Sequence, residues 1–300
     1  MTLVDPLPHP PRTRPHARRL APYLLLTPGG LWLGIFIVVP MIVLIYVSLE
    51  SGGLLFGGFR FTWAFSNYRD AISGNLRYFE RSLVYATFVT IGCLALAYPM
   101  MYWIAFYGGR RKSGLLLLIL LPFFVSFVIR TVQWSFILAD NGIILAPLKH
   151  AGLLPQDFHV LATPFAVVAG MTYNFLPFTA LPLYVALERI DEHLVEAAKD
   201  LYSSRWQSFR HVVFPLSLPG VFAAFLLTFV PATGDYVNAS ILGGTGTTMI
   251  GNIIQDRFLI QNAYNQAAAL AAVLMLGMLI LVIVYARALG TEDVVRSAAG

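Results

Sequence analysis

Residues 23–49 read YLLLTPGGLWLGIFIVVPMIVLIYVSL, with no charged side chain between Tyr23 and Leu49. A helix that crosses the hydrocarbon of a bilayer needs about 20 apolar residues, so this run is long enough to cross once. A cleavable export signal has an apolar region of only about 7–15 residues and a small-residue cleavage site, and neither condition is met here. The segment is expected to stay in the membrane as an anchor.

Working outward, five further runs have the length and apolarity of a crossing: Ser82–Phe106, Leu115–Leu138, Ala162–Leu187, Gly220–Val237 and Gln266–Ala288. The expected fold is an all-α membrane protein of six transmembrane helices. The composition agrees, since 58% of the 300 residues are hydrophobic and 12% charged, outside the range of soluble domains. Six crossings put both ends of the chain on one side. With that side cytosolic, thirteen basic residues face it, among them Arg14, Arg18, Arg19, Arg110, Arg111, Lys112, Arg189, Lys199 and Arg210, against six on the other face. Cytosolic loops carry the excess of Lys and Arg, so the arrangement reads N-in, C-in, in the inner membrane of a bacterium. Three regions follow: residues 1–22 as a basic, disordered cytosolic tail, 23–288 as the membrane domain and 289–300 as a cytosolic C-terminal tail.

The net charge of +5 is accounted for by this sorting of basic clusters, which argues against a nucleic-acid partner. The single cysteine, Cys93, lies in an apolar run and reads as helix packing. His150, His159, His193 and His211 have no HExxH or i, i+4 ligand spacing, so no metal is expected. No GxxxxGK[ST] loop is present, and Gly243-Gly244-Thr245-Gly246 lacks the lysine, so the chain holds no nucleotide cofactor of its own. Prolines stand inside the apolar runs at Pro40, Pro99, Pro122, Pro177, Pro182 and Pro231. Membrane helices tolerate them where neighbours satisfy the freed carbonyls, so a bundle with irregular parts is expected. Gly30 and Gly34 form a GxxxG pair that suits close helix packing.

The loop Glu188–Pro219 is the longest on the cytosolic side. Within it Leu194, Ala197, Ala198 and Leu201 fall at i, i+3, i+4 and i+7, which makes one face of a short helix apolar. A second helix is expected from Ser203 or Ser204, as N-cap, to Val213, closed by Pro215. Two short helices along the membrane would form a docking shelf.

The order Glu196-Ala197-Ala198, Tyr202, then Val212-Val213-Phe214-Pro215 resembles the EAA motif of ABC importer permeases, whose coupling helices insert into a groove on the ATPase subunit. Tyr202 stands where that family has glycine. A left-handed turn there would cost a non-glycine residue roughly 1–2 kcal/mol. The stretches Leu121–Thr131, Asp140-Asn141-Gly142, Thr163–Val168, Leu176–Tyr184, Leu242-Gly243-Gly244 and Met249–Asn252 are similar to the permeases of spermidine/putrescine importers. The resemblance implies a type I importer permease fold and no enzymatic activity in this chain. It also implies two ATPase subunits that bind ATP and Mg, a second homologous permease and an extracytoplasmic substrate-binding protein. Glu196, Ala197, Ala198, Tyr202, Trp206 and Pro215 become the candidate coupling residues. Polyamines are the expected cargo, with another solute such as an opine, iron, thiamine or sulfate as the first alternative, and a secondary transporter as a distant one.

Arg130 and Asp235 fall within the expected third and fifth spans, each about 15 residues from the cytosolic end, so at ~1.5 Å per residue both sit ~22 Å deep. A charge at that depth needs a partner or water. Two readings stay open: a structural Arg130–Asp235 ion pair, or Asp235 facing a cationic cargo with Trp134, Tyr173 and Tyr236 as aromatic walls. Where Asp235 stands, the family commonly has glutamate.

Overall fold

A computed structural model describes residues 26–53, 58–191, 193–196 and 204–297. The basic tail 1–22 therefore lies outside the described residues. Five helices are continuous and apolar enough to cross a membrane: α1 (Leu26–Ser48), α2 (Ser66–Tyr107), α6 (Pro164–Glu188), α7 (Trp206–Thr233) and the first part of α10 (Tyr264–Ser297). Helices α3 (Gly109–Phe124) and α4 (Phe127–Leu138), which meet at an angle of 91°, together have the length and apolarity of a sixth, broken span. Shorter helices α5 (Leu145–His150), α8 (Val237–Leu242) and α9 (Ile250–Gln255) fill the connections. One antiparallel hairpin, β1 (Glu50–Gly53) with β2 (Gly58–Phe61), pairs Glu50 with Phe61 and Gly53 with Gly58, so the fold is helical but not purely α. Asn67 fixes the hairpin to α2 by donating to the carbonyls of Ser48 and Glu50 at 2.9 and 2.8 Å.

Helix α2 is 42 residues long and begins sixteen residues before the expected span. The apolar run bounds what crosses lipid, whereas the helix continues through Arg69, Asp70, Arg77 and Glu80, a polar turnless stretch with nothing to stop it. Likewise α10 continues past Ala288 to Ser297, into the expected C-terminal tail.

The third span departs most from expectation, because it is not one straight helix. Pro122 lacks an amide, the residues Leu121–Phe124 tighten into a 3-10 turn, and Val125 and Ser126 are extended. The break is covered by aromatic contacts to α6, Phe123 to Phe178 at 4.9 Å and Phe127 to Phe175 at 6.0 Å. Depth counted along a straight helix consequently fails for Arg130.

Pro99, Pro177, Pro182, Pro219 and Pro231 stand inside unbroken helices, and Pro40 and Pro215 do not break theirs either. A five-residue wide turn, Gly34–Val38, precedes Pro40, and another, Phe209–Val213, precedes Pro215. A proline ring clashes with the carbonyl four residues back, and here those carbonyls belong to Phe36 and His211, inside the wide turns. Pro215 thus does not close the second loop helix as expected, and α7 runs unbroken from Trp206 to Thr233. Ser204 does cap it, accepting from the Gln207 amide at 3.2 Å.

The core is the three-helix contact of α2, α6 and α7, built where small residues let backbones approach. Buried hydroxyls join it: Thr179 to Thr228 at 2.7 Å, Tyr98 to Ser217 at 2.7 Å, and the Cys93 thiol donating to the Thr172 carbonyl at 3.3 Å. Such bonds hold membrane helices together where lipid offers no hydrophobic drive. A Cβ at Gly30 or Gly34 would meet nothing within 4 Å, so their close-packing face has no partner among the described residues. On the far side, the α4–α6 connection is pinned by Asp140, which accepts from Lys149 at 3.1 Å and lies 3.2 Å from His159. The hydrogen bond from Lys149 holds the Asp140 carboxyl below its ordinary range, and His159 adds to this.

Gly220 marks the tightest approach of α7 to α6: a Cβ there would meet the Ala186 side chain and, at 2.9 Å, the Pro182 carbonyl. Gly220→Ala is expected to destabilise the detergent-purified protein by about 1–3 kcal/mol, read as a lower midpoint of thermal unfolding. Gly277→Ala, where a Cβ meets nothing within 4 Å, should leave the midpoint in place.

Candidate coupling surface and membrane-buried polar cluster

The cytosolic candidate starts at the end of α6, where Glu188 accepts from Lys112 at 3.2 Å and ties the loop to α3. Asp191 then caps a short helical stretch, residues 193–196, through the His193 amide at 2.9 Å. Val195 is buried against Ile104, Leu187 and Ile190, while Leu194 is half exposed. The inward anchor is therefore Val195, one residue along from the apolar face read in the sequence. Glu196 is exposed, 3.8 Å from the His193 ring. Ala197, Ala198 and Tyr202 lie outside the described residues.

Across the loop, Trp206 is exposed and stacks on Phe209 at 5.3 Å, and Tyr98 and Tyr102 of α2 meet Phe209 edge-on at 5.7 and 5.6 Å. With Pro99 and Tyr107 they line an aromatic cavity of about 350 Å³. Pro215 is exposed one turn further along. The start of α7 is thus wedged against α2 by rings.

Inside the bilayer the structure brings together residues that the sequence did not single out. Asn174 donates to Thr131 at 2.9 Å and to the Asn238 side-chain oxygen at 3.0 Å, and Thr131 donates to the same oxygen at 3.2 Å. Asn238 in turn donates to the Asp235 carboxylate. This cluster joins α4, α6 and α8. An Asn in the middle of an apolar run, as at Asn174, is the signal that could have found it, since such a group must be bonded within the bundle.

Asp235 is not inside the fifth helix, which ends at Thr233. It lies in the turn to α8, where one oxygen accepts from the amides of Val237 at 2.9 Å and Asn238 at 3.2 Å. That is a helix N-cap. The Arg130–Asp235 ion pair is absent: both carboxylate oxygens are engaged by α8, and Arg130 lies instead beside the rings of Phe123 and Phe127, 5.3 and 5.8 Å from their centres. Of the aromatic set, Trp134 and Tyr173 meet at 5.5 Å. Tyr236 is half exposed, and its carbonyl accepts from Asn252 at 3.0 Å.

A bundle of five continuous spans and one broken span, with a cytosolic helical loop wedged onto its core, defines a polytopic membrane permease. The chain belongs to the family of binding-protein-dependent transport system inner membrane components, whose model matches residues 20–290. It is a multi-pass protein of the inner membrane. It is 34% identical over 261 residues to the spermidine/putrescine transport system permease protein PotB of Haemophilus influenzae, covering 86% of this chain and 90% of that one. The corresponding protein of Escherichia coli is 33% identical, with 86% and 94% covered. In fold, the chain is similar to a component of a bacterial ABC transporter that imports the acidic polysaccharide alginate, with a TM-score of 0.70 at 18% identity, covering 90% of this chain and 95% of the other.

If Asp235 serves as a cap, Asp235→Ala should lower stability by about 0.5–2 kcal/mol, measured by thermal unfolding in detergent. Asp235→Asn keeps an accepting oxygen and should stay close to the parent. Equal losses in the two variants would contradict the capping role.

Proposed function

We propose that this chain is the membrane-spanning permease subunit of an ATP-driven importer for polyamines such as spermidine and putrescine. The observation that carries the reading is the one-third identity sustained along 86% of the chain with permeases that bear that name. In this reading both ends of the chain are cytosolic, ATP and Mg are bound by two partner ATPase subunits, and a second permease and an extracytoplasmic binding protein complete the importer. Glu196, Ala197, Ala198, Tyr202, Trp206 and Pro215 form the surface that an ATPase subunit grips. Because Trp206 and Phe209 are wedged onto α2, movement of that surface passes into the start of α7 and from there to the core.

The same reading places the cargo path along the outward half of α4, α6 and α8. Trp134, Tyr173 and Tyr236 offer ring faces that attract an ammonium group. Asp235 adds fixed negative charge, with Arg130 as the opposing charge that a cation must pass. A capped carboxylate held in place needs no rearrangement when a cation arrives.

Reconstituted into vesicles with its second permease, ATPases and binding protein, the chain is expected to support ATP-dependent uptake of labelled spermidine and putrescine. A complex that hydrolyses ATP normally but takes up neither would contradict the cargo assignment.

Glu196→Ala removes an exposed carboxylate from the proposed grip. It should leave membrane insertion intact and reduce ATP-driven uptake by about tenfold, the scale of losing one partner of an interface charge pair. Normal uptake and normal coupled hydrolysis in the purified variant complex would make Glu196 an ordinary solvated charge.

A further inference from the structure

The elbow between α3 and α4 holds hydrogen-bond donors for which the described residues supply no acceptor, and it lies deep in the membrane. Thr131 bonds Asn174, the eleventh residue of α6, ~15 Å from one end of that helix and ~21 Å from the other at 1.5 Å per residue. Thr131 is the fifth residue of α4, so the start of that helix lies within about 6 Å of this level. Its N-cap residue Ser126 makes no side-chain capping bond, and the first bond of the helix runs from the Arg130 amide to the Ser126 carbonyl at 3.0 Å. The amides of Phe127, Val128 and Ile129 are left open among the described residues. Free amides at a helix N-terminus attract anions.

Arg130 supplies the second, independent feature. It is 6% exposed, and its side chain reaches back over the start of α4 to the rings of Phe123 and Phe127. Its Nε and Nη1 are buried without an acceptor. A guanidinium inside the hydrocarbon needs one, and among the described residues neither Asp235 nor any other carboxylate forms an ion pair or hydrogen bond with it.

We propose that this elbow is an oxyanion site within the membrane, occupied by a carboxylate side chain of the second permease subunit. Depth excludes a lipid phosphate, since headgroups lie beyond about 15 Å from the bilayer centre. Cationic cargo is repelled by the same charge. The outer face of the elbow is open and apolar: Phe124 is 83% exposed, Ile129 53% and Val128 49%. A side chain arriving from a neighbouring subunit would meet the open amides of α4, with the Nε and Nη1 of Arg130 beside them as further donors. An apolar rim around a desolvated polar contact is the pattern of an interface hot spot. The inference rests on the reading of this chain as one of a pair of permease subunits.

The test uses the full importer with a benzophenone amino acid in place of Phe124, and separately the variants Arg130→Leu and Arg130→Lys. Irradiation is expected to join this chain to the second permease. Arg130→Leu should cut co-purification of that subunit by about tenfold, with Arg130→Lys retaining more of it. Replacing the matching Asp or Glu of the second subunit by Asn or Gln should restore recovery in the Arg130→Leu background. Adducts with lipid alone, or unchanged recovery with Arg130→Leu, would overturn the proposal. Should Arg130→Leu fail to insert, replacing the matching Asp or Glu of the second subunit by Asn or Gln beside the unaltered chain decides: it should lower recovery by about tenfold, and unchanged recovery would overturn the proposal. Polyamine uptake in an importer that gives no cross-link overturns this inference alone, whereas a cross-linked pair that takes up no polyamine overturns only the cargo assignment.

Discussion

The side chain of Asn238 is the hub on which the outward half of the molecule depends. Its oxygen accepts from Thr131 on α4 and Asn174 on α6, and its nitrogen donates to Asp235, the cap of its own helix. In hydrocarbon a polar group has no water to fall back on, so each bond restricts where its donor or acceptor can sit. The broken span could meet the core in many ways by apolar contact alone. Three polar groups converging on one amide select a single docking. That choice sets the distance between Trp134 and Tyr173 and consumes the Asp235 carboxylate.

Below this hub the chain behaves as a stiffer body. Small residues and buried hydroxyls bring α2, α6 and α7 together, and the aromatic wedge of Tyr98, Tyr102 and Phe209 fastens the cytosolic start of α7 to α2. In the proposed reading, a push on Trp206 or Phe209 reaches the core through this wedge. The broken span is tied to the core by Phe123, Phe127 and the polar hub, with few further contacts to α2 and α6. A permease that alternates its opening needs one rigid block and one element that can change its docking, and the fold has both.

Where the sequence was readable, one local cause acted alone. Apolar length located the five continuous spans and the bent pair, and Ser203 or Ser204 could be read as a cap because such a side chain needs only the amide three residues on, as Ser204 has in Gln207. The failures share a different cause. Pro215 and Pro122 carry the same local signal, yet one is absorbed by a wide turn and the other ends a helix, because α2 supports the first and α6 takes the broken pieces of the second. The Arg130–Asp235 pairing was inferred from residue counts along straight helices, and both counts fail at the bend and at Gly234. Thr131, Asn174 and Asn238 are single polar residues on three separate elements, and their convergence exists only in the folded bundle. The loop candidates Ala197, Ala198 and Tyr202 rest on motif alone.

The central claim, that one shared amide docks the broken span onto the core, is tested most directly by a double-mutant cycle on thermal stability with Asn174→Leu and Asn238→Leu. Because both side chains serve the same set of bonds, the account predicts that the double variant is no less stable than the worse single one, a coupling of roughly 0.6–1.7 kcal/mol on the scale of membrane hydrogen bonds. Strictly additive losses would contradict it, since they would mean that α4 is held by apolar packing and that the amide of Asn238 organises nothing.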